Sequence, residues 1–481
     1  FVVSRLTRSG LSPLQAQKEI KNDTTLAHEA LKHIINERPL MLKRDPVLHK
    51  FGVQAFRPKL VEGKAIKIHP LATAGYNADF DGDKMGAFVP VSQKAVKEAY
   101  KMLPSNNLFS PSNGNLMFKP SAESMLGLYK MTQMNKKAPK RFGSVSDAAK
   151  AVKEGKISFN DPIFLDDIDA DIMSKLGAAK KTTVGRLLLY QTLPKEMRDK
   201  KILSDPAFEL DKANLGDLLS EVGRNHQGDF ARVADRLKDM GNEYSTGLSI
   251  GLKDFASDNK YRDTMLRAAE KEEAKIRANP RLSKKKKDEA IIALYGKAGE
   301  AISKKAKAKA DASDNRMYDW VKSGAGGKGW DGFRQLYVAP MLVAGVGGKT
   351  IPVPIGKSYS EGLDIGSYWA SLHGARMGTI SRVEGTWRPG LMGKQMMQAT
   401  MNQVIVDEDC GTDKGLRFSI NDRDVLGRYT AGDISLGKKS GKDKGKIPSG
   451  TLITPEVISR LKNNKVLDVR ARSPLKCIHG V

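Results

Sequence analysis

The chain has 481 residues, 40% of them apolar, and its 81 Lys and Arg outnumber 55 Asp and Glu to give a net charge of +26. That length supports about three or four folding units, and the positive excess points to a polyanionic partner, nucleic acid being the default. The longest apolar run, Val338 to Val346, is too short to span a membrane and contains Pro340, while Arg5 and Arg8 break any signal-peptide core. No basic amphipathic helix with a bulky apolar face suggests a membrane surface. Two distant cysteines exclude a disulfide framework and suit a reducing cytoplasm.

Residues 1–37 read as helical, with a start at Ser12-Pro13 and Leu26, Ala30, Leu31 and Ile34 at helical spacing. Residues 38–92 read as strand-rich and Pro/Gly-punctuated, a compact barrel carrying an acidic loop. Helices are predicted at Gln93 to Leu103 and Ala122 to Met134, followed by an exposed basic linker, Asn135 to Arg141. Residues 142–320 read as mostly helical, with turns at Pro162, Pro194 and Pro206. Tyr261 to Lys309 forms long alternating-sign helices broken at Asn279-Pro280. The lysines at 284–287 and Lys304, Lys305, Lys307 and Lys309 read as a solvated helix face rather than a nucleic-acid contact. Ser323 to Gly356 is glycine-rich and reads as irregular, Glu361 to Gln398 as one long interrupted helix, and 407–481 as small strands and turns with a flexible basic loop at Gly437 to Lys446.

Within 38–92 lies the run Asn77-Ala78-Asp79-Phe80-Asp81-Gly82-Asp83-Lys84-Met85. Carboxylates at alternate positions repel one another, and a cation relieves that repulsion. All-oxygen ligation selects a hard ion such as Mg²⁺, and Gly82 lets the backbone curl to converge the side chains. An EF-hand frame fails in both registers: from Asp79 it places Pro90 at the bidentate position, and from Asp81 it places Met85 and Ser92 at ligand positions. A plain solvated turn fits poorly between the apolar stretches around Ile66 to Leu71 and Ala87 to Val91.

This run resembles the signature of the largest catalytic (beta-prime) subunit of multisubunit DNA-dependent RNA polymerases, bacterial-type branch. Collinear matches extend the resemblance: Arg38 to Phe56, Glu62 to Ile66, His69-Pro70-Leu71, Ser105-Asn106-Asn107, Ser110 to Gly114, Leu126-Gly127-Leu128-Tyr129, Thr182 to Arg186, His373-Gly374-Ala375-Arg376 and Asp409-Cys410-Gly411-Thr412. The resemblance implies an α+β, multidomain fold. Part of a double-psi β-barrel is followed by mostly helical regions, a long bridge-type helix and a small β-rich zinc-associated region. The implied divisions are 1–95, barrel part with preceding helices; 96–141, flanking helices and basic linker; and 142–320, a helical funnel-like region. They continue with 321–360, a supporting glycine-rich loop; 361–400, the bridge helix; and 401–481, a β-rich region with half a zinc site.

By the same resemblance, Asp79, Asp81 and Asp83 are the catalytic Mg²⁺ ligands, and Arg44 and Asn77 read the sugar of the incoming nucleotide. An amide beside a guanidinium can satisfy a 2′-hydroxyl, which both donates and accepts. Asp45 stands where the family has a small apolar residue and is positioned to pair with Arg44. Thr386 aligns with a threonine facing the nascent base pair. In Arg388-Pro389-Gly390 the proline costs about 3 kcal/mol inside a helix, so the segment reads equally as a kink used in translocation or as a helix end at Trp387. Gly326 stands where the supporting loop has arginine, and a second glycine-arginine motif is lost around Ala339-Pro340-Met341. These departures point to a divergent source such as a viral or phage enzyme, which would work in the host cytoplasm. Cys410 and Cys477 match two of four zinc cysteines, and His479 is a third nearby ligand type; Zn²⁺ would need residues beyond Val481.

The expected function is DNA-templated RNA synthesis by two-Mg²⁺ nucleotidyl transfer within a multisubunit complex. DNA template, nascent RNA, nucleoside triphosphates, a second large beta-type subunit and the remaining parts of the largest subunit are the implied partners, with no membrane. The start at Phe1 and the stop at Val481 read as an internal piece or a split-gene product. The rival readings are a non-catalytic nucleic-acid-binding scaffold and a relative using an RNA template.

Overall fold

Helix starts in the first segment follow cap chemistry. The computed structural model describes residues 1–481 apart from 112, 167–171, 173–175, 177–180, 256–258, 314, 328, 346–347, 405, 408, 437–444 and 480–481. Helices α1 (Val2–Arg8), α2 (Pro13–Lys21) and α3 (Thr25–Glu37) open the chain. Ser12 and Gln15 form a capping box on α2, with Pro13 in its first turn, as the sequence predicts. Of the predicted set Ala30 is buried and Leu26 exposed, and Ala27 joins Ala30 on the buried face of α3.

The chain divides into two compact units, Phe1–Phe118 with Gly390–Val481, and Lys119–Pro389. In the first, β1 (Leu40–Lys43) is the central strand between β2 (Val53–Phe56) and β3 (Gly86–Phe88), antiparallel to both. The segment 38–92 is less strand-rich than predicted. Pro46, Pro58, Pro70 and Pro90 remove ladder donors, and the β2–β3 connection carries the short helix α4 (Thr73–Tyr76) instead. Helix α5 (Gln93–Lys101) follows, capped by Ser92.

In the second unit, α6 (Glu123–Thr132) is followed by β4 (Lys140–Phe142), α7 (Val145–Lys153), β5 (Pro162–Leu165), β6 (Lys181–Thr183) and α8 (Val184–Thr192). Next come α9 (Lys200–Ser204), α10 (Lys212–Asn225) and α11 (Gln227–Ser245). Helices α6 and α11 cross backbone to backbone. A Cβ on Gly127 would lie 1.8 Å from the Gly241 carbonyl oxygen, and one on Gly241 would lie 2.1 Å from that of Ser124. Gly185 is equally tight, 2.2 Å from the Met131 carbonyl oxygen. Beside it Arg186 is fully buried and donates to the carbonyls of Thr132 (2.8 Å), Asp205 (2.6 Å) and Phe208 (2.7 Å).

Two sequence expectations fail here. The basic stretch Asn135 to Arg141 is not a free linker: Asn135 Nδ2 donates to Asp161 Oδ1 at 2.7 Å, Lys137 pairs with Asp161, and β4 runs parallel to β5. Pro162 is no turn but the first residue of β5, where its missing N–H is tolerated.

Helices α12 (Lys260–Ala278) and α13 (Lys284–Ala312) break at Asn279-Pro280 as expected. Of the lysines predicted to be solvated, Lys305 and Lys309 sit 5.5 and 5.7 Å over the Tyr261 ring, and Lys307 sits 4.8 Å over Trp330. After α14 (Arg316–Lys322), the glycine-rich stretch predicted to be irregular contains α15 (Gly329–Tyr337). Trp330, Phe333 and Tyr337 share a helix face that the surrounding glycines obscured in the sequence. Gly326 has no room for a side chain: a Cβ there would lie 2.5 Å from Trp320 Cδ1.

Helix α16 (Ile365–Ala399) runs through Pro389, so the helix end considered at Trp387 does not occur. No residue of α16 is buried, and among the described residues no helix is long and apolar enough to cross a membrane. Just upstream, Glu361 is gripped by Arg262, whose Nη2 donates to Oε1 at 3.0 Å. Burial opposes ionisation of Glu361, but the Arg262 fork and the Ser358 amide and hydroxyl outweigh it and hold the carboxyl at about 2.

In the first unit, β7 (Leu416–Ser419) pairs with β10 (Asp468–Ala471), and β8 (Ile434–Ser435) with β9 (Lys446–Ile447), all antiparallel. Between β9 and β10 lies α17 (Pro455–Asn463), a helix the sequence reading missed, capped by Thr454 with Pro455 in its first turn. Most of the loop predicted from Gly437 to Lys446 lies outside the described residues; its end, Lys446, belongs to β9.

Gly127→Ala should force α6 and α11 apart and cost about 1–3 kcal/mol, read as a lower urea midpoint. Because the Glu361 carboxyl is depressed in the folded protein, its stabilisation is present above the ordinary carboxyl range and is lost as pH falls toward about 2. Between pH 5 and 3 the wild type should therefore lose stability more steeply than Glu361→Gln, measured by denaturant midpoints; parallel curves would refute this.

Candidate metal and nucleotide site

Strand β1 carries the elements that hold the acidic loop. The Tyr76 hydroxyl, at the end of α4, donates to the Leu42 carbonyl at 3.0 Å. Burial pushes that phenol well above its ordinary range, so it remains a donor. Asn77 follows in the left-handed conformation, φ 49° and ψ 46°. Its amide donates to Ala74 and that of Ala78 to Thr73, closing α4 in a Schellman arrangement. Asparagine tolerates this conformation better than most residues with a side chain, so the fold gives Asn77 a backbone role in addition to any ligand role. Its side chain is exposed.

Residues 79–84 are all exposed, and Gly82 turns the loop at φ 106°. Asp83 Oδ2 accepts from Arg44 Nε at 2.8 Å and from the Asp79 amide at 3.3 Å. The Arg44 hydrogen bond first, and the Asp79 amide second, hold the Asp83 carboxyl below its ordinary range. Arg44 Nη1 also donates to the Tyr76 carbonyl at 3.2 Å. Asp45 does not pair with Arg44 as the sequence suggested. Its carboxylate takes Lys43 Nζ at 2.9 Å, because successive residues at a strand end face opposite sides.

Among the described residues no group of three or more His, Cys, Asp or Glu is close enough together to hold a metal. Asp79, Asp81 and Asp83 thus share one exposed loop without converging, and Arg44 supplies the counter-charge to Asp83. The donor set itself fits Mg²⁺: three accessible carboxylates at alternate positions on a glycine-bearing loop. Thr386 lies on α16, its hydroxyl donating to the Arg382 carbonyl at 2.8 Å.

The fold brings Cys410 and Cys477 together. The Ile478 and Thr412 amides, and then the Cys477 thiol, lower the Cys410 thiol below its ordinary range. His479 turns to Asp407, 2.9 Å away, and Asp409 pairs with Arg472 while accepting the Gly411 amide.

Sequence reasoning missed two supports. One is Tyr76. The other is Arg38, whose Nη1 donates to the Pro90 and Val91 carbonyls at 2.7 and 2.8 Å and clamps the chain leaving β3. Neither has a pattern of its own in the sequence. Asn107, quoted there as a motif residue, donates to the Lys101 and Leu103 carbonyls at the end of α5.

Comparison with known proteins agrees with this organisation. The family described as RNA polymerase Rpb1, domain 2, matches residues 6–104, and RNA polymerase Rpb1, domain 3, matches residues 107–255. Over 99% of its length the chain is 33% identical to a protein of Stutzerimonas stutzeri (strain A1501) named DNA-directed RNA polymerase subunit beta'. It is 32% identical to proteins of that name from Ectopseudomonas mendocina (strain ymp) and Francisella tularensis subsp. novicida (strain U112), again over 99% of its length. It spans 36% of the length of these relatives. The acidic-loop unit and the glycine-crossed helices fall in order within the two matched domains, and the chain belongs to the family of the largest, beta-prime-type subunit of RNA polymerase.

Proposed function

We propose that this chain supplies the catalytic segment of a DNA-directed RNA polymerase, joining nucleoside triphosphates to the 3′ end of a growing RNA. The observation that carries the reading is the exposed loop of Asp79, Asp81 and Asp83, hung on β1 next to Arg44 and Asn77. Two Mg²⁺ ions, roughly 3.5–4 Å apart in such sites, would activate the attacking 3′ oxygen and stabilise the pyrophosphate leaving group. The three aspartates act as charge holders for that metal rather than as general acid or base. Arg44 and Asn77 bind the sugar of the incoming nucleotide. Helix α16 serves as the bridge helix, with Thr386 toward the nascent base pair and Pro389 as its weak point, since Pro389 cannot donate to the turn before it.

The remaining assignments rest on the same reading. The +26 charge tracks DNA template and RNA phosphates. A second large beta-type subunit and the other parts of the largest subunit complete the enzyme in the cytoplasm. Cys410 and Cys477 would supply two of the four ligands that a structural Zn²⁺ takes. The divisions 1–95, 96–141, 142–320, 321–360, 361–400 and 401–481 are its functional regions. A non-catalytic scaffold is the weaker alternative, because it gives no use to three accessible carboxylates at alternate positions on one glycine-bearing loop.

Asp81→Ala should lower RNA synthesis by the assembled polymerase at least about a thousandfold, the equivalent of several kcal/mol of transition-state stabilisation. The subunits should still copurify, because Asp81 is exposed and outside any core. Retained synthesis would sink the proposal.

A further inference from the structure

The ion pair between Arg44 and Asp83 ties together two residues that the proposed reaction needs separately. Asp83 Oδ2 already accepts from Arg44 Nε and the Asp79 amide. A guanidinium at that distance also repels a divalent ion arriving at the same carboxylate. Arg44 is committed in turn, through Nε to Asp83 and through Nη1 to the Tyr76 carbonyl. Asp45, the nearest other carboxylate in sequence, pairs with Lys43 rather than with Arg44.

We infer that Arg44 is a latch on the metal ligand Asp83, so that Mg²⁺ engagement of Asp83 and release of Arg44 toward the nucleotide sugar are one coupled event. The inference rests on the proposed function and adds to it an order of assembly. Arg44 and the metal compete for one carboxylate, so each weakens the other's hold on Asp83. A nucleotide that draws Arg44 away favours metal binding, and bound metal frees Arg44 for the nucleotide to the same extent. The same Asp83 oxygen holds both the Arg44 guanidinium and the Asp79 amide, so the latch also fixes the loop's own backbone.

The test is metal affinity, not activity. The assembled polymerase is titrated with Fe²⁺ under conditions that generate hydroxyl radicals, and backbone cleavage at residues 77–84 is mapped, with Mg²⁺ as competitor. Arg44→Ala should lower the half-saturating Fe²⁺ concentration between about twofold and tenfold, the range for losing a partly exposed competing ion pair. Arg44→Gln, which keeps a donor for the Tyr76 carbonyl, should do the same and guards against loss of fold. In an Asp83→Asn background the gain should vanish, because the coupling runs through that carboxylate. Unchanged or weaker affinity in both Arg44 variants overturns the latch, as does a gain that persists with Asp83→Asn. A folded wild type with no cleavage at 77–84 overturns the proposed function itself, an outcome distinct from failure of the latch alone.

Discussion

The site depends on strand β1. Its four residues pair with β2 on one side and three of them with β3 on the other, so the chain before and after the acidic loop is tied to it. The Leu42 carbonyl also takes the Tyr76 hydroxyl, and the residue after the strand, Arg44, reaches Asp83. The acidic loop's large apolar side chain, Phe80, is exposed, so burial does not anchor the loop. Its position is set by hydrogen bonds to a strand and by one guanidinium, and its electrostatics remain open to a cation.

The second unit is organised by a different constraint, the closeness of helix backbones. Gly127, Gly185 and Gly241 allow approaches that any side chain would block. Arg186 then fills the space that remains. Desolvation draws its guanidinium down to about 10, against the pull of Asp205 and Glu209, and it donates to the carbonyls of Thr132, Asp205 and Phe208. The stretches Leu126 to Tyr129 and Thr182 to Arg186 therefore carry packing and burial requirements. The aspartate loop is marked by charge.

Much of the architecture was legible because it is local. Ser12-Pro13 starts a helix through its own cap, Asn279-Pro280 ends one through lost donors, and Glu361 to Gln398 reads as one interrupted helix, though the sequence does not decide between a kink at Pro389 and an end at Trp387. Elsewhere the governing interaction came from a distant part of the sequence. Asn135 and Lys137 look like linker residues until Asp161 meets them, and Pro162 looks like a turn until β4 and β6 flank it. The short helix α17 was hidden because only its cap and a few apolar residues distinguish it from loop.

By itself the sequence determined the chemistry on offer: three carboxylates, a guanidinium, an amide, two thiols and a strongly basic chain. Residue type and spacing suffice for that, since they specify which ions and hydrogen bonds are possible. Tertiary structure alone decided which of those possibilities are taken up. It gave Asp45 to Lys43 and Asp83 to Arg44, held Asn77 in a left-handed cap, and set Cys410 beside Cys477. Partners separated by tens of residues compete for the same charge, and only the folded distances determine which one wins.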